Sequence, residues 1–163
     1  SKTADAQAAY ESTQTLSPTV LGGVNFVLHA AGWMEGGLVA DYAKLILDAD
    51  QLTMVPKLVN GIDLTDNGQA MDALRETGPG QHFLGSAHTQ ANFEDAFWRS
   101  ELADNTTYEQ WSSEGSVESA ERARKKFADM LESYVAPEID PAVDEALRAF
   151  IARRMEELPD TDY

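Results

Sequence analysis

Three side chains that could serve in binding or catalysis lie close together in the sequence: His29, Trp33 and Glu35. The face of a tryptophan ring attracts cations, and a neighbouring carboxylate could add a counter-charge. Each residue also has an ordinary structural role open to it. His29 could hydrogen-bond within a core, Trp33 could pack against other apolar groups, and Glu35 could cap the helix that follows.

A second group of candidate residues lies near the start of the chain, on a predicted helix. Tyr10 is another ring that could surround a quaternary ammonium, while Gln7 and Glu11 could supply polar contacts. Plain packing or solvent exposure is the alternative for each of them.

The stretch from Thr77 to Thr89, TGPGQHFLGSAHT, contains two of the three histidines, His82 and His88. Glycine admits a positive φ and proline cannot continue a helix, so the stretch predicts a helix stop followed by a stiff turn. A new helix is expected to begin at Thr89. His82 and His88 are candidates for a binding site or an interface.

Only residues 24–29 are predicted to form a strand. Val24, Phe26 and Leu28 alternate with the other three residues, and the segment is apolar on nearly both faces, as in a buried parallel strand. His29 would end this strand, with Trp33 and Glu35 in the loop after it.

Helical spacing of apolar residues predicts that the rest of the chain is mainly α-helical. Pro18 and Pro56 would kink or shorten two of the helices. The predicted helices cover residues 3–21, 38–61, 66–77, 89–99, 107–114, 117–134 and 141–158. The residues expected to face inward include Tyr42, Leu45, Ile46, Ala49, Leu52, Phe93, Phe97, Val143, Leu147, Phe150, Ile151 and Leu158.

Composition excludes several classes of function. With 163 residues, 43% of them hydrophobic, the chain can form one domain or part of one. A formal net charge of −16 argues against nucleic acids and anionic membranes as partners. The chain has no cysteine and no apolar run of ~20 residues, so a soluble cytoplasmic protein is predicted. Because the first residue is serine rather than methionine, a processed or truncated piece is favoured.

Sequence motifs for other chemistries are missing. The chain contains no HExxH, GxSxG, Walker or GxGxxG motif, and its three dispersed histidines match no zinc-binding pattern. We therefore predict that the chain binds no metal.

Four stretches of the chain, in order, resemble the C-terminal part of the trimethylamine methyltransferase family. They are Asp5–Glu11, Gly32–Leu38, Thr77–Thr89 and Phe97–Arg99. The third is similar to the family pattern GPGGHFLGxxHT, with Gln81 where the family commonly has glycine. The family includes enzymes that act on trimethylamine and relatives that act on quaternary amines such as glycine betaine.

The resemblance implies an α/β fold, the C-terminal part of a (β/α)8 TIM barrel. In this chain that part would be predominantly α-helical, with one or two short strands. Residues 1–100 would form the barrel segment, and residues 101–163 a helical extension packed on it. A complete barrel needs eight strands and ~250 residues, so one strand cannot close the sheet.

The resemblance also implies a function: transfer of a methyl group from a methylated amine to the corrinoid (cobalamin) of a separate protein. His29 and Glu35 are then predicted as catalytic residues, and Gln7, Tyr10, Trp33 and His82 as substrate-binding residues. The predicted partners are the corrinoid protein, the amine and further copies of the chain, and no cofactor is expected to bind this chain alone. Because the cobalt is the nucleophile in that reaction, no protein nucleophile is needed.

A non-catalytic role is the alternative. The predominance of helices is also typical of a helical interaction module or an amine-binding module. As a fragment, the chain would be expected to be inactive when isolated, because the remainder of the barrel would be missing.

Overall fold

The computed structural model describes residues 1–158, which are mostly helical. The chain divides into two compact units, Ser1–Met130 and a second unit from Leu131 onward. The described α-helices are α1 (Ala6–Leu21), α2 (Tyr42–Val59), α3 (Asp66–Gln69), α4 (Met71–Glu76), α5 (Ala87–Asn92), α6 (Tyr108–Ser113), α7 (Ser119–Glu132) and α8 (Pro141–Glu157). The predicted division at residue 100 stays a prediction, and residues 159–163 of the predicted extension lie outside the described residues.

Helix boundaries follow the capping chemistry of the sequence. Asp5 caps α1 by accepting a hydrogen bond from the Ala8 amide at 3.1 Å, and Gly22 ends that helix. Asp140 caps α8, with Pro141 at its first position, as predicted. The first helix begins at Ala6 rather than residue 3 because Asp5, and not Thr3, provides the cap.

Three more of the predicted helices differ clearly from the structure in their extent. The helix predicted over residues 89–99 is α5, which begins at Ala87 and already ends at Asn92. The segment 66–77 is broken into α3 and α4 at Ala70, whose φ of 50° is left-handed. The helix predicted from residue 38 begins only at Tyr42, because Asp41 caps it by accepting a hydrogen bond from the Lys44 amide at 2.6 Å.

The predicted strand over residues 24–29 is wrong. These residues form no strand, and Phe26 is 77% exposed. A strand needs a neighbour to accept and donate its backbone hydrogen bonds, and residues 1–158 place none beside this segment. Alternating apolar residues therefore indicate that a segment is suited to burial, but they do not show that a neighbouring strand is present to pair with it.

A small hairpin stands after this segment instead. Strand β1 (Trp33–Met34) pairs antiparallel with β2 (Val39–Ala40), Trp33 opposite Ala40. The connecting turn, Glu35–Gly37, needs three successive positive φ angles, and two of its residues are glycines. The hairpin fixes the backbone at Trp33 and hence the place from which its ring extends.

The core of the first unit is small, and α1 packs on α2 within this unit. Ala43, Leu102 and Ala123 form a buried cluster, with Ile46 and Leu47 packed against it. Arg122 on α7 donates from Nε to the Leu102 carbonyl oxygen at 2.6 Å, so the segment around Leu102 is fastened to α7. These contacts join α2, the segment around Leu102 and α7.

Several residues predicted to face inward are exposed instead. On α2 the buried positions are Ala43, Lys44, Asp48 and Val55, whereas Tyr42, Leu45 and Ala49 are exposed. This helix is apolar on several sides, so the spacing of its apolar residues did not identify the buried face. The other predicted core residues that are exposed in their own units are Phe93, Phe97, Val143, Leu147, Phe150, Ile151 and Leu158.

Candidate functional site

The structure brings together two of the predicted site residues, His29 and Trp33. Their ring centroids lie 4.8 Å apart, with the ring planes inclined by 58°. His29 has a left-handed φ of 55°, which is uncommon for a residue with a side chain. Such conformations cluster at functional sites because the surrounding structure must maintain them.

These two rings border a cleft of about 160 Å³ between α1, α2 and the loop before β1. That volume is below the ~300–1,000 Å³ usual for sites of drug-sized ligands, so a compact molecule suits it best. The cleft is lined by Ala8, Glu11, Ser12, Thr15, Leu16, His29, Ala30, Trp33, Lys44 and Asp48. It therefore combines aromatic rings with carboxylates and one ammonium group.

Three polar side chains at this cleft form a closed, buried triangle. Lys44 Nζ lies 2.6 Å from Asp48 Oδ2 and donates to Ser12 Oγ at 2.9 Å. Ser12 Oγ in turn donates to Asp48 Oδ1 at 2.9 Å. Lys44 and Asp48 are only 5% and 4% exposed, so their opposite charges form an ion pair that is largely shielded from water.

Asp48 also forms a hydrogen bond to the loop that carries His29 and Trp33. Its Oδ2 atom accepts a hydrogen bond from the Gly32 amide at 2.8 Å, immediately before Trp33. Gly32 has a φ of +82°, and a Cβ atom there would stand 3.1 Å from Leu45 Cβ. Only glycine allows the loop to approach α2 this closely without strain.

Glu11 provides a second carboxylate in the lining of the cleft. Gln7 donates to Glu11 Oε1 at 2.7 Å, and the Ser1 amino group donates to Oε2 at 2.8 Å. The hydrogen bond from Ser1, followed by that from Gln7, lowers the pKa of Glu11 below its ordinary value. Both oxygens of this carboxylate are therefore engaged, and the Ser1 ammonium compensates its charge.

Glu35 and Tyr10 occupy other positions. Glu35 Oε1 pairs with Lys2 Nζ at 2.7 Å, and this hydrogen bond is the main reason that the pKa of Glu35 is lowered. Glu35 and Tyr10 are not among the residues that line the cleft, and Tyr10 is 56% exposed. The predicted roles of Gln7, Tyr10 and Glu35 stay predictions.

His82 lies on the exposed loop before a short 3₁₀-helix (Phe83–Gly85) and does not line the cleft. The other histidine of that loop has a structural partner, since His88 Nε2 lies 2.7 Å from the Asn67 carbonyl oxygen. Ser86, rather than Thr89, caps the helix that follows. The substrate-binding role of His82 stays a prediction.

Ser12, Lys44 and Asp48 were missed by the sequence reasoning. One signal was available, because Lys44 and Asp48 have opposite charges four positions apart on one helix. Such spacing is usual on solvated helix faces, so the sequence did not reveal burial. Ser12 had no signal, since its partners lie on another helix.

Lys44 and Asp48 also line a larger groove of about 900 Å³. Its walls are mostly apolar, with Met54, Val55 and Leu102 among them, and it includes none of the six predicted site residues. The smaller cleft therefore remains the better candidate site. Within residues 1–158, no three His, Asp or Glu side chains are grouped so that they could hold a metal ion.

Known proteins match nearly the whole chain. Residues 1–159 match the family described as trimethylamine methyltransferase (MTTB). The chain belongs to this family. Glycine betaine methyltransferase of Desulfitobacterium hafniense (strain Y51) is 40% identical over 97% of this chain and 33% of its own length. Trimethylamine methyltransferase MttB of D. hafniense (strain DSM 10664 / DCB-2) is 31% identical, over 96% of this chain and 31% of its own length.

A third relative, trimethylamine methyltransferase MttB2 of Methanosarcina mazei, is 28% identical over 92% of the chain. The chain spans about a third of the length of the relatives it matches. The family assignment made from the four motifs is thus confirmed. None of the helices in residues 1–158 is long and apolar enough to cross a membrane.

Proposed function

We propose that this chain contributes the amine-binding part of a methyltransferase that moves a methyl group from a methylated amine to a corrinoid protein. Trimethylamine or a quaternary amine such as glycine betaine would be the methyl donor. The family match over residues 1–159 carries the proposal, because the matched relatives are named as methyltransferases of these two amines.

The cleft at His29 and Trp33 supports this proposal. A quaternary ammonium is a bulky cation without hydrogen-bond donors, and protonated trimethylamine has only one, so both suit aromatic faces and nearby negative charge. Trp33 supplies a ring, and Glu11 supplies an ionised carboxylate in the same lining. The His29 ring lies against the Trp33 ring, with the two centroids 4.8 Å apart.

In this function the chain acts chiefly by positioning. Fixing the ammonium against Trp33 would direct one methyl group toward the incoming corrinoid, which supplies the nucleophile. The donor would be a quaternary or protonated amine, which would leave as the neutral amine with the electron pair of the broken bond, while the corrinoid would supply the electron pair for the new bond to the methyl carbon. His29 and Glu35 keep their predicted catalytic roles in this proposal.

Methyl transfer by the protein isolated from its source tests the proposal. Reduced corrinoid protein is mixed with trimethylamine or glycine betaine, and methylation is followed by the visible spectrum of the corrinoid. We expect transfer from at least one of the two amines, and a slower reaction for Trp33→Leu. Phe97→Leu, which changes an exposed ring that does not line the cleft, should retain the original rate.

Two results would contradict the proposal. Failure of both amines to methylate the corrinoid would remove methyl transfer as the function. Amine binding without transfer would favour the alternative of an amine-binding module. For the 163-residue chain by itself we expect no turnover, because it spans only a third of the relatives.

A further inference from the structure

The second compact unit is unusual in how little of it is covered. None of its described residues, from Leu131 to Leu158, is buried, and within α8 only Asp144 is even partly covered. An isolated helix of the 17-residue length of α8 is marginal in water, because helices in proteins gain most of their stability by packing an apolar face. A further surface is therefore expected to stabilise α8.

One side of α8 is suited to such a contact. Val143, Leu147, Phe150 and Ile151 follow helical spacing and are each between 50% and 55% exposed. We call these four residues the α8 stripe. Contiguous exposed apolar side chains of this kind mark interaction surfaces.

The order of charges along the helix is self-complementary. Residues 138–146 contain four acidic residues and no basic one, whereas residues 147–155 contain three arginines and no acidic residue. A second copy of α8 that runs antiparallel about a two-fold axis near Ala149 would bring the acidic part of each helix beside the basic part of the other. A parallel copy would instead place like charges together.

The same register also aligns the apolar residues. Leu147 and Ile151 each lie two residues from Ala149, on opposite sides of it, so the two-fold axis places them at one level. Asp144 and Arg154 each lie five residues from Ala149 and are aligned in the same way. One register therefore satisfies both the apolar and the charged residues.

We propose that α8 is a dimerisation helix that packs its stripe against α8 of a second copy of the chain, in an antiparallel pair. Asp144 then lies beside Arg154 of the second copy, twice by symmetry. Within one chain these two side chains pair with Arg148 at 2.8 Å and Glu157 at 3.0 Å, but they are 42% and 46% exposed and so are accessible to a partner. This inference is independent of the proposed function.

Sedimentation equilibrium of the 163-residue chain tests the proposal. At about 100 μM, a concentration at which a dimer of micromolar affinity is mostly formed, we expect twice the 17.8 kDa mass of one chain. Phe150→Asp, which places a charge in the α8 stripe, should give the mass of one chain. A monomeric unaltered chain would overturn the proposal.

An exchange of charges tests the pairing itself. Asp144→Arg and Arg154→Asp each place like charges together at both symmetric contacts, so each variant alone should associate at least about ten-fold more weakly. An equimolar mixture of the two variants restores opposite charges at both contacts and should regain the dimer mass. Glu145→Arg is the matched control, because it makes the same change of charge on the side of α8 opposite the stripe, and it should remain a dimer.

The other outcomes also decide the question. A dimer that persists in Phe150→Asp would place the interface elsewhere and overturn the assignment to α8. A mixture of the two charge variants that stays monomeric would overturn the antiparallel pairing, whereas its recovery would show that both variants can form α8. None of these masses depends on methyl transfer, so the test stands whether or not the proposed function does.

Discussion

The buried triangle of Ser12, Lys44 and Asp48 predicts a large loss of stability in Asp48→Asn. The side chain of Asp48 accepts hydrogen bonds from Ser12, Lys44 and the Gly32 amide, and it is 4% exposed. Asparagine keeps one acceptor oxygen but removes the charge that compensates Lys44. Breaking a buried ion pair by removing one partner costs about 3–5 kcal/mol, since the other charge stays buried.

The double variant Lys44→Met/Asp48→Asn supplies the critical comparison. It removes both charges, and the remaining amide oxygen can still accept from Gly32. Replacing a whole buried pair by neutral groups is often close to neutral, so we expect the double variant to lie within about 2 kcal/mol of the original chain. The double variant should therefore be more stable than Asp48→Asn.

Urea denaturation followed by far-ultraviolet circular dichroism measures these free energies of unfolding. Asp72→Asn, which removes an exposed ion pair with Arg75, is the control and should change stability by no more than about 0.5 kcal/mol. Two results would refute the reasoning. One is a loss below about 1 kcal/mol for Asp48→Asn, and the other is a double variant no more stable than this single variant.

Three further predictions concern the loop, acid stability and the aromatic ring. Gly32→Ala should destabilise the chain more than Gly37→Ala, because both residues have positive φ but only the former would bring a Cβ to 3.1 Å from Leu45; equal urea midpoints would contradict this. The hydrogen bond from the Ala8 amide is the main reason that the pKa of Asp5 is lowered in the folded chain. The stability that this ionised cap contributes is therefore complete above the ordinary pKa of 3.8 and is lost as the pH falls through the lower pKa of the folded state. Asp5→Asn should give a flatter dependence of the urea midpoint on pH below 4, and an unchanged slope would count against the cap. Trp33→Leu should weaken glycine betaine binding by about two- to thirty-fold in a calorimetric titration, and unchanged affinity would exclude the ring from the site.

Local capping signals explain which parts of the fold were predictable. Asp140 followed by Pro141 fixes the start of α8, and Gly22 fixes the end of α1, through bonds within a few residues. The strand over residues 24–29 depended instead on a distant partner, which alternation cannot supply. In the same way, apolar spacing predicted burial for several residues of α8, but these residues are exposed, and Phe150 is an example with 53% of its surface exposed.

The candidate site likewise contains residues that were predictable from the sequence and residues that were not. Trp33 was predictable because it lies in one of the four family motifs, and the structure places its ring against that of His29. His29 was predicted as the end of a strand that residues 24–29 do not form. Lys44 and Asp48 were not, because their burial depends on α1 packing over α2. Opposite charges on one helix ordinarily indicate a solvated surface, and only the tertiary structure shows otherwise.

The central claim is that a methylated amine binds in the cleft beside His29 and Trp33. Intermolecular nuclear Overhauser effects from the N-methyl protons of glycine betaine to assigned side chains of the chain test it most directly. The account predicts contacts to the ring protons of Trp33 and His29. Contacts instead to Trp111, which lines the larger groove, or to no ring at all, would contradict it.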